Sequence, residues 1–320
     1  MRFTLRQIEY FIAAAEFGSI SIASERINIS PPSISTAISQ LETELNAKLF
    51  VRRHAQGLSL TPVGREVLAE SKQLIRQAQA LYQSASESTN IVQGPLAVGC
   101  LVTFAPMVLP EVAQGFAAAY ENVHVTSHVA DQETLLHMLE HAKLDVALSY
   151  DLQVPDEFTF VPLAELAPYA MVGQNHPLAQ QTSVTLEELA RHDLILLDLP
   201  LSRDYFLGLF AREGLRPRVA MRLDHQEVIR TMVANGMGYT IGNVRPRLSA
   251  ARDGRALVSL KIAGEHQLMR LGVIHLRDHG TIRTVEAFVE HCQGLISNNY
   301  IPGMFPPSLI ARRYSSPGTP

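Results

Sequence analysis

The stretch SPPSISTAISQLETEL, residues 30–45, decides how the chain begins to fold, because it gives one helix two different faces. Ser30 is a suitable N-cap, and the prolines after it fall in the first turn, where a missing amide hydrogen costs nothing. The apolar residues recur at spacings of four, three and four: Ile34, Ile38, Leu41 and Leu45. The opposite face carries uncharged hydroxyl and amide groups: Ser33, Ser35, Thr36, Ser39 and Gln40. The pattern predicts a helix with one buried and one polar face.

Two shorter helical patterns precede this stretch, in TLRQIEYFIAAAEFGS at residues 4–19 and again at residues 20–28. Three short helices in about 45 residues, the third polar at its N-terminal end, are typical of a helix-turn-helix. Hydroxyl and amide groups can approach phosphates and base edges without a large desolvation penalty. The alternative is a small helical subdomain whose serines and threonines are simply solvated.

After the third helix, LFVRRHAQGLSLTPVGREV at residues 49–67 predicts two short extended segments around a turn at Gln56 and Gly57. Arg52, Arg53 and His54 lie on the first arm. A basic two-stranded wing beside a recognition helix would contact backbone phosphates or enter a minor groove. A solvated hairpin is the other interpretation.

From residue 62 the pattern is helical for some 25 residues. Apolar or small residues recur with a period of 3.5 at Val67, Ser71, Leu74, Ala78, Leu81 and Ala85. A long helix with one narrow apolar seam needs a partner helix, and the simplest partner is the same helix of a second copy of the chain. The sequence thus predicts a homodimer through this helix, followed by a polar linker to residue 90.

After residue 95 the hydrophobic pattern changes and predicts strands that alternate with helices. PLAVGC predicts a buried strand, and strand, helix and strand patterns then repeat to a closing helix near residues 282–296. This order implies parallel sheets with right-handed crossovers, arranged in two small α/β lobes. Three strand-to-helix junctions are candidate ligand contacts, and Asn243 and Arg245, just after the strand YTIG, could close the site from the second lobe. Residues after Ser297, rich in proline and serine, are expected to be loosely attached.

Composition and charge limit the function classes. The 320 residues suggest about two domains, and 47% hydrophobic with 18% charged residues is typical of a globular protein. The net charge is −4, but residues 1–65 hold seven basic side chains against five glutamates, so a mildly basic head precedes an acidic body. Apolar runs are too short for a membrane span, the first 30 residues do not resemble a signal peptide, and two cysteines exclude a disulfide scaffold. We expect a cytoplasmic protein.

With these segments in place, residues 3–297 resemble a LysR-type transcriptional regulator. The most specific stretch is FIAAAEFGSISIASERINISPPSISTAISQLETELNAKLFVRR followed by LTPVGR, which is similar to the family's winged helix-turn-helix. Downstream, GPLAVGC, Leu109-Pro110, KLDVAL and NGMGYTIGN are similar to landmarks of its effector domain.

The resemblance implies an α/β fold with an N-terminal winged helix-turn-helix (1–61), a long dimerising linker helix (62–90) and a two-lobed, periplasmic-binding-protein-like effector domain (91–297). Lobe one would take 91–162 and 266–297, lobe two 163–265, and a flexible tail 298–320. The implied function is effector-controlled transcription, with double-stranded operator DNA as partner and a homotetramer as the expected assembly. An oligomeric small-molecule binding protein without a DNA role is the alternative.

The predicted DNA-binding residues are the start and polar face of the third helix and the hairpin arginines: Ser30, Pro32, Ser33, Ser35, Thr36, Ser39, Gln40, Arg52 and Arg53. Two departures from the family concern this helix. Thr36 and Ala37 stand where members often have a basic residue and a glutamine, and two prolines open the helix where one is usual. We therefore expect fewer charged side chains among the residues of this helix that contact bases.

The predicted effector-binding residues follow the strands of both lobes: Val102, Thr103, Gln132, Leu201, Ser202, Arg203, Asn243 and Arg245. Thr103, Gln132 and Ser202 match positions where family members commonly carry ligand-facing polar groups, although Gln132 replaces a small hydroxyl residue. Arg203 and Arg245 would favour a carboxylate effector through charge-assisted hydrogen bonds. The alternative for each arginine is a surface charge or a salt bridge with Asp204 or Asp224.

Other chemistries receive less support. His137 and His141 have zinc-competent spacing, but no further ligand cluster completes a site, and surface histidines of an amphipathic helix are the simpler interpretation. The flanks of Cys100 and Cys292 contain nothing that would lower a thiol pKa. We find no phosphate-binding glycine loop and no nucleophile elbow. The sequence predicts no cofactor, no metal and no enzymatic activity.

Overall fold

The computed structural model describes residues 3–53, 57–85, 92–277 and 282–307. The chain divides into two compact units, Met1–Ile91 with Glu140–Lys143 and Val92–Leu139 with Leu144–Pro320. Within the described ranges, no helix is both long and apolar enough to cross a bilayer.

The first unit consists of three helices, a hairpin and a long helix: α1 Leu5–Phe17, α2 Ile20–Ile27, α3 Pro31–Glu44, β1 Phe50–Arg53, β2 Gly57–Leu60 and α4 Pro62–Ala85. Side-chain oxygens of Thr4, Ser19 and Ser30 cap the first three helices. The first two end in the left-handed conformation at Gly18 and Asn28, which glycine and asparagine tolerate best. These caps fix the short turns of a helix-turn-helix.

A single apolar core holds this unit together. Phe11, Ile34, Leu41 and Leu49 are fully buried, and the ring of Phe11 meets that of Phe50 edge to face, with centroids 5.5 Å apart. The contact joins α1 to the hairpin and so links helices and wing in one core.

The second unit contains two mixed sheets. The strands of the first sheet are β3 Gly94–Leu101, β4 Val123–Ala130, β5 Val146–Tyr150, β6 Phe158–Leu166 and β13 Met269–Leu276. They lie in the order β4-β3-β5-β13-β6, and helices α5 Ala105–Ala119, α6 Gln132–Glu140 and α10 Arg283–Leu295 accompany them.

The strands of the second sheet are β7 Tyr169–Gly173, β8 Ser183–Val184, β9 Asp193–Leu197, β10 Arg218–Leu223, β11 Tyr239–Gly242 and β12 Leu257–Ile262. They lie in the order β10-β9-β11-β7-β12-β8, and helices α7 Leu186–Ala190, α8 Ser202–Arg212 and α9 Gln226–Ala234 accompany them.

The expected parallel pairing is confirmed for three strands of each sheet but not for all the others. Pairing is parallel in β4-β3-β5 and in β10-β9-β11, but β13 runs antiparallel to β5 and β6, and β7 runs antiparallel to β11 and β12. The difference arises because the chain passes between the sheets twice, from β6 to β7 and from β12 to β13.

The sequence pattern did not predict strands β6, β8 and β12 or helix α7. Pro162 interrupts the pattern of β6, and a register shift near Gly272 accommodates that irregularity.

The prediction of a loosely attached tail is wrong for residues 298–307. Ile301 and Met304 are buried in the core of the first sheet. Tyr300 donates to Glu111 over 2.6 Å, and the Arg247 side chain donates to the Met304 carbonyl over 3.0 Å. Residues 298–307, which we call the C-terminal strap, are therefore an integral part of the second unit. Residues 308–320 lie outside the described residues.

This packing gives a stability prediction. Ile301→Ala should lower the free energy of unfolding by about 2–5 kcal/mol, the usual cost of emptying a buried aliphatic site. Leu248→Ala is the matched control, because Leu248 is 65% exposed, and its effect should stay within about 0.5 kcal/mol. Urea unfolding followed by circular dichroism measures both. Equal stability of the two variants would restore the loose-tail interpretation.

Candidate nucleic-acid interface and effector cavity

Helix α3 separates apolar from polar side chains around its axis. Ile34, Ile38 and Leu41 are buried against the core of the first unit. The opposite side is exposed at Ser33, Thr36, Ser39 and Gln40, while Ser35 is half-buried. The predicted polar residues therefore share one accessible surface, which we call the α3 face.

Hydrogen bonds engage parts of the α3 face. The Ser30 side chain accepts from the Ser33 amide and shares a 2.8 Å hydrogen bond with the Ser33 hydroxyl, which fixes the start of the helix. Gln40 accepts from the Gln7 amide over 2.7 Å and so links α3 to α1. Among the described residues, the side chains of Thr36 and Ser39 form no hydrogen bond. Their hydroxyls are the ones most open to an external partner.

The charged end of α3 has a structural role. Burial alone would raise the pKa of Glu42, but hydrogen bonds from Lys48 and the Leu49 and Phe50 amides outweigh it and hold this pKa below its usual value. The carboxylate thus ties the end of α3 to the hairpin. Arg52 and Arg53 lie on β1, whose backbone pairs with β2. Their side chains, and His54 itself, lie outside what the structure describes.

Three of the eight predicted effector residues meet in one small cavity in the second unit. Thr103 follows β3, Ser202 opens α8, and Asn243 follows β11, so the cavity lies between the two sheets. Its volume is about 30 Å³. We call it the inter-lobe cavity.

Three buried oxygens define the chemistry of the inter-lobe cavity. Thr103 Oγ1, Ser202 Oγ and Asn243 Oδ1 have no hydrogen-bond partner among the described residues. A buried polar atom without a partner costs about 1–3 kcal/mol, so the arrangement is unfavourable unless something else bonds to these atoms. Tyr150 also lines the cavity, and burial raises its pKa well above the usual value.

The backbone before Ser202 is strained. Leu201 has φ 65° and ψ −47°, and the Ser202 amide bonds back to the Pro200 carbonyl over 2.7 Å. A non-glycine residue in such a tight turn costs on the order of 1–3 kcal/mol. The turn brings Ser202 to the first position of α8, where its side chain is 2% exposed and lines the cavity.

Tyrosines and one arginine complete the inter-lobe cavity, and the sequence analysis missed them. Tyr169 donates to the Val244 carbonyl over 2.7 Å, and burial raises the pKa of Tyr169 to about 12. Arg230, 4% exposed, donates to the carbonyls of Leu248 and Ala250 and pairs with Glu227. These residues stand at a strand start and inside a helix, positions that motif spacing does not single out.

The structure corrects several predicted effector contacts. Gln132 is fully buried, donates to the Leu152 carbonyl over 2.7 Å and accepts from Ser149 over 3.2 Å, so its amide is already satisfied. Val102 and Leu201 pack against the apolar cores and do not line the cavity.

Neither predicted arginine lies in the inter-lobe cavity. Arg203 pairs with Asp198 over 2.9 Å and with Asp204 over 3.3 Å, which is the salt-bridge alternative. Arg245 lines a separate groove. Neither arginine that was predicted to bind a carboxylate therefore lines the cavity around Ser202, whereas Arg230, which was not predicted, does.

Comparisons with known proteins agree with this architecture. The family model described as "Bacterial regulatory helix-turn-helix protein, lysR family" matches residues 5–65, and "LysR substrate binding domain" matches residues 90–296. A hydrogen peroxide-inducible genes activator from Pectobacterium carotovorum is 29% identical over 250 residues, 78% of this chain and 82% of that protein.

Solved structures extend the likeness to nearly the whole chain. HinK, a LysR family regulator from Pseudomonas aeruginosa, is 31% identical, with a TM-score of 0.62 over 92% of this chain and 99% of its own. The regulator CbnR, solved with its target DNA, shares the fold at 20% identity, with a TM-score of 0.63 over 91% of this chain and 99% of its own. The substrate-binding match alone spans more than half of the 320 residues. The chain belongs to the LysR family and is a DNA-binding transcriptional regulator with an effector domain, rather than an enzyme.

Proposed function

We propose that the α3 face enters a DNA groove and that Arg52 and Arg53 contact phosphates beside it. The observation that carries this proposal is the exposure of Ser33, Thr36, Ser39 and Gln40 opposite a fully buried apolar stripe. Uncharged hydroxyls and amides select bases by hydrogen bonding, whereas guanidinium groups supply affinity for any sequence. Ser30, Pro32 and Ser35 would border the same contact.

We infer the domain division 1–61, 62–90 and 91–297 for this regulator, with lobes of 91–162 plus 266–297 and of 163–265. The matched ranges 5–65 and 90–296 support it. A chromosome-binding protein of this kind would act in the cytoplasm.

Helix α4 would form the homodimer, and two dimers a homotetramer. The N-terminal part of the apolar seam of α4 packs within the same chain, because Val67 and Leu74 contact the core of the first unit and Ser71 is buried. A second chain would therefore meet the seam beyond Leu74, where the 3.5-residue period continues.

For the effector, we propose a small polar molecule held between the lobes by Ser202, Asn243 and Thr103. The unpaired oxygens of Ser202 and Asn243 support this proposal, since a donor on the ligand would satisfy both. A volume of about 30 Å³ admits little more than a water molecule, so binding requires the lobes to move apart. A carboxylate effector would have to bind mainly through these uncharged groups, because Arg203 is engaged in ion pairs and Arg230, which lines the cavity, pairs with Glu227.

The cysteines argue against a sensor that reacts directly with peroxide, although curated relatives are named for peroxide-inducible genes. Cys100 and Cys292 are both buried, and burial raises the pKa of each thiol, that of Cys292 to about 12. Oxidation by peroxide proceeds through an accessible thiolate. The buried oxygens of the inter-lobe cavity support binding of a ligand instead.

The DNA contact is tested by two substitutions of different type. Operators are first selected from a random duplex library with the wild-type protein, and affinities are then measured by fluorescence anisotropy at several salt concentrations. Thr36→Ala should change the ranking of operators, whereas Arg52→Ala should weaken binding to all of them and lower the salt slope by about 0.9 per lost phosphate contact. Ser249→Ala, an exposed serine of the second unit, is the control. Equal, sequence-independent losses in both variants would refute the groove assignment.

The effector site is tested through Ser202→Ala. Without ligand, this variant should be as stable as the wild type or more stable by about 1–3 kcal/mol, because it removes an unsatisfied buried hydroxyl. A thermal-shift screen of small carboxylates, amides and sugars against the full chain identifies compounds that raise Tm. Their Tm shift should disappear in Ser202→Ala and in Thr103→Val, but not in Ser249→Ala. A full shift in both cavity variants would move the effector site elsewhere.

Thiol accessibility tests the argument from the cysteines. Native protein at pH 8 should not react with Ellman's reagent within minutes, whereas unfolded protein should release two equivalents per chain. Operator affinity should be the same before and after hydrogen peroxide treatment. Rapid labelling of native protein, or a peroxide-dependent change in affinity that Cys100→Ser removes, would show a thiol-based response.

A further inference from the structure

A large groove lies where the chain passes between the two sheets of the second unit. Residues 165–169, between β6 and β7, form one wall, and residues 264–268, between β12 and β13, form another. The C-terminal strap closes the groove with Asn298, Met304 and Phe305. Its volume of about 660 Å³ far exceeds that of the inter-lobe cavity, and it lies in the range of small-molecule sites. We call it the hinge groove.

Arg245 is the distinctive side chain of the hinge groove. Its guanidinium carbon lies 5.8 Å from the ring centroids of both Tyr169 and Phe305. The Phe305 amide donates to the Arg245 carbonyl over 3.0 Å and holds strap and arginine together. Two cation–π contacts attract the charge, but aromatic rings accept none of the five guanidinium N–H groups in hydrogen bonds.

In the part of the chain that the structure describes, no carboxylate pairs with Arg245 and no carbonyl accepts a hydrogen bond from its guanidinium. The side chain is nevertheless only half-exposed. A partly desolvated guanidinium gains most from a planar anion that accepts two parallel hydrogen bonds. A carboxylate on a ligand meets this requirement.

The remaining walls define the body of such a ligand. Leu166, Ile262, Leu268 and Met304 supply an apolar lining. Glu165 and Glu265 also line the hinge groove, but both are exposed, so water solvates their charges. Two further basic side chains, Lys261 and His266, border it. The combination suits one anionic head next to an apolar chain or ring.

We propose that the hinge groove binds an apolar monocarboxylate, with its carboxylate on Arg245 and its hydrocarbon part against Leu166, Leu268 and Met304. This site is larger than the inter-lobe cavity, and the arginine of that cavity, Arg230, already pairs with Glu227. Tyr169 and Asn243 line both, and the Asn243 amide donates to the Leu166 carbonyl over 3.1 Å. A ligand in the hinge groove contacts both segments that connect the two sheets, residues 165–169 and 264–268, so its binding changes how far the lobes separate.

Isothermal titration calorimetry of the full chain with decanoate below its micellar concentration tests this site. Decanoate should bind saturably at one site per chain, and decanol, which lacks the charge, should bind at least tenfold more weakly. Arg245→Gln should weaken decanoate binding at least tenfold. Arg216→Gln, which removes an exposed arginine outside the hinge groove, should leave it unchanged.

A second variant keeps the test decisive if Arg245→Gln unfolds. Leu268 is 42% exposed, so Leu268→Glu should preserve the fold while placing a negative charge beside the ligand, and decanoate binding should again fall at least tenfold. Equal affinities of wild type, Arg245→Gln and Leu268→Glu, or no binding by the wild type, would overturn the proposal. It would also be overturned if decanoate bound only after deletion of residues 308–320, since the groove would then belong to the chain's own C-terminal segment. None of these outcomes bears on Ser202 and the inter-lobe cavity.

Discussion

The packing of Ile34, Ile38 and Leu41 into the core around Phe11 is the constraint on which the DNA-binding unit depends. A helix has one orientation about its axis, and burying an apolar stripe fixes which residues face outwards. Each buried aliphatic side chain contributes about 1.5–3 kcal/mol, whereas exposed hydroxyls contribute little to folding. The fold is therefore stabilised by one face of α3, and the other face is left free for recognition.

Buried polar groups of the second unit fall into two classes, those with hydrogen-bond partners and those without. Gln132 and Arg230 are buried and fully bonded, and they hold structural elements together. Ser202 and Asn243 are as deeply buried, but each keeps one oxygen without a partner. These unpaired oxygens and the strained turn at Leu201 both raise the free energy of the folded state, and both lie at the inter-lobe cavity. A ligand that forms hydrogen bonds with these oxygens would lower this free energy.

The two chain crossings and the C-terminal strap form the other organising feature. The strap buries Ile301 and Met304 in the first sheet, while its backbone bonds to residues 245–247. This arrangement connects residues far apart in sequence and surrounds Arg245 with Tyr169 and Phe305. Because Asn243 reaches both the hinge groove and the inter-lobe cavity, one side chain lies at the boundary between a proposed regulatory site and the proposed effector site.

Local sequence patterns predicted the helix-turn-helix head, the long helix and the alternating α/β body, because apolar periodicity, caps and turns are local properties, and the resemblance of the quoted motifs indicated the family. The sequence also singled out Thr103, Ser202 and Asn243 as following strands, and these three residues line the inter-lobe cavity. Local patterns could not place the antiparallel strands, the burial of residues 298–307 or the internal hydrogen bonds of Gln132. They also gave no sign that Arg245 and Ser202 belong to different sites. These points depend on the three-dimensional packing, because the partners of a side chain come from segments up to 189 residues away, as for Tyr300 and Glu111, and their pairing depends on how the two sheets pack.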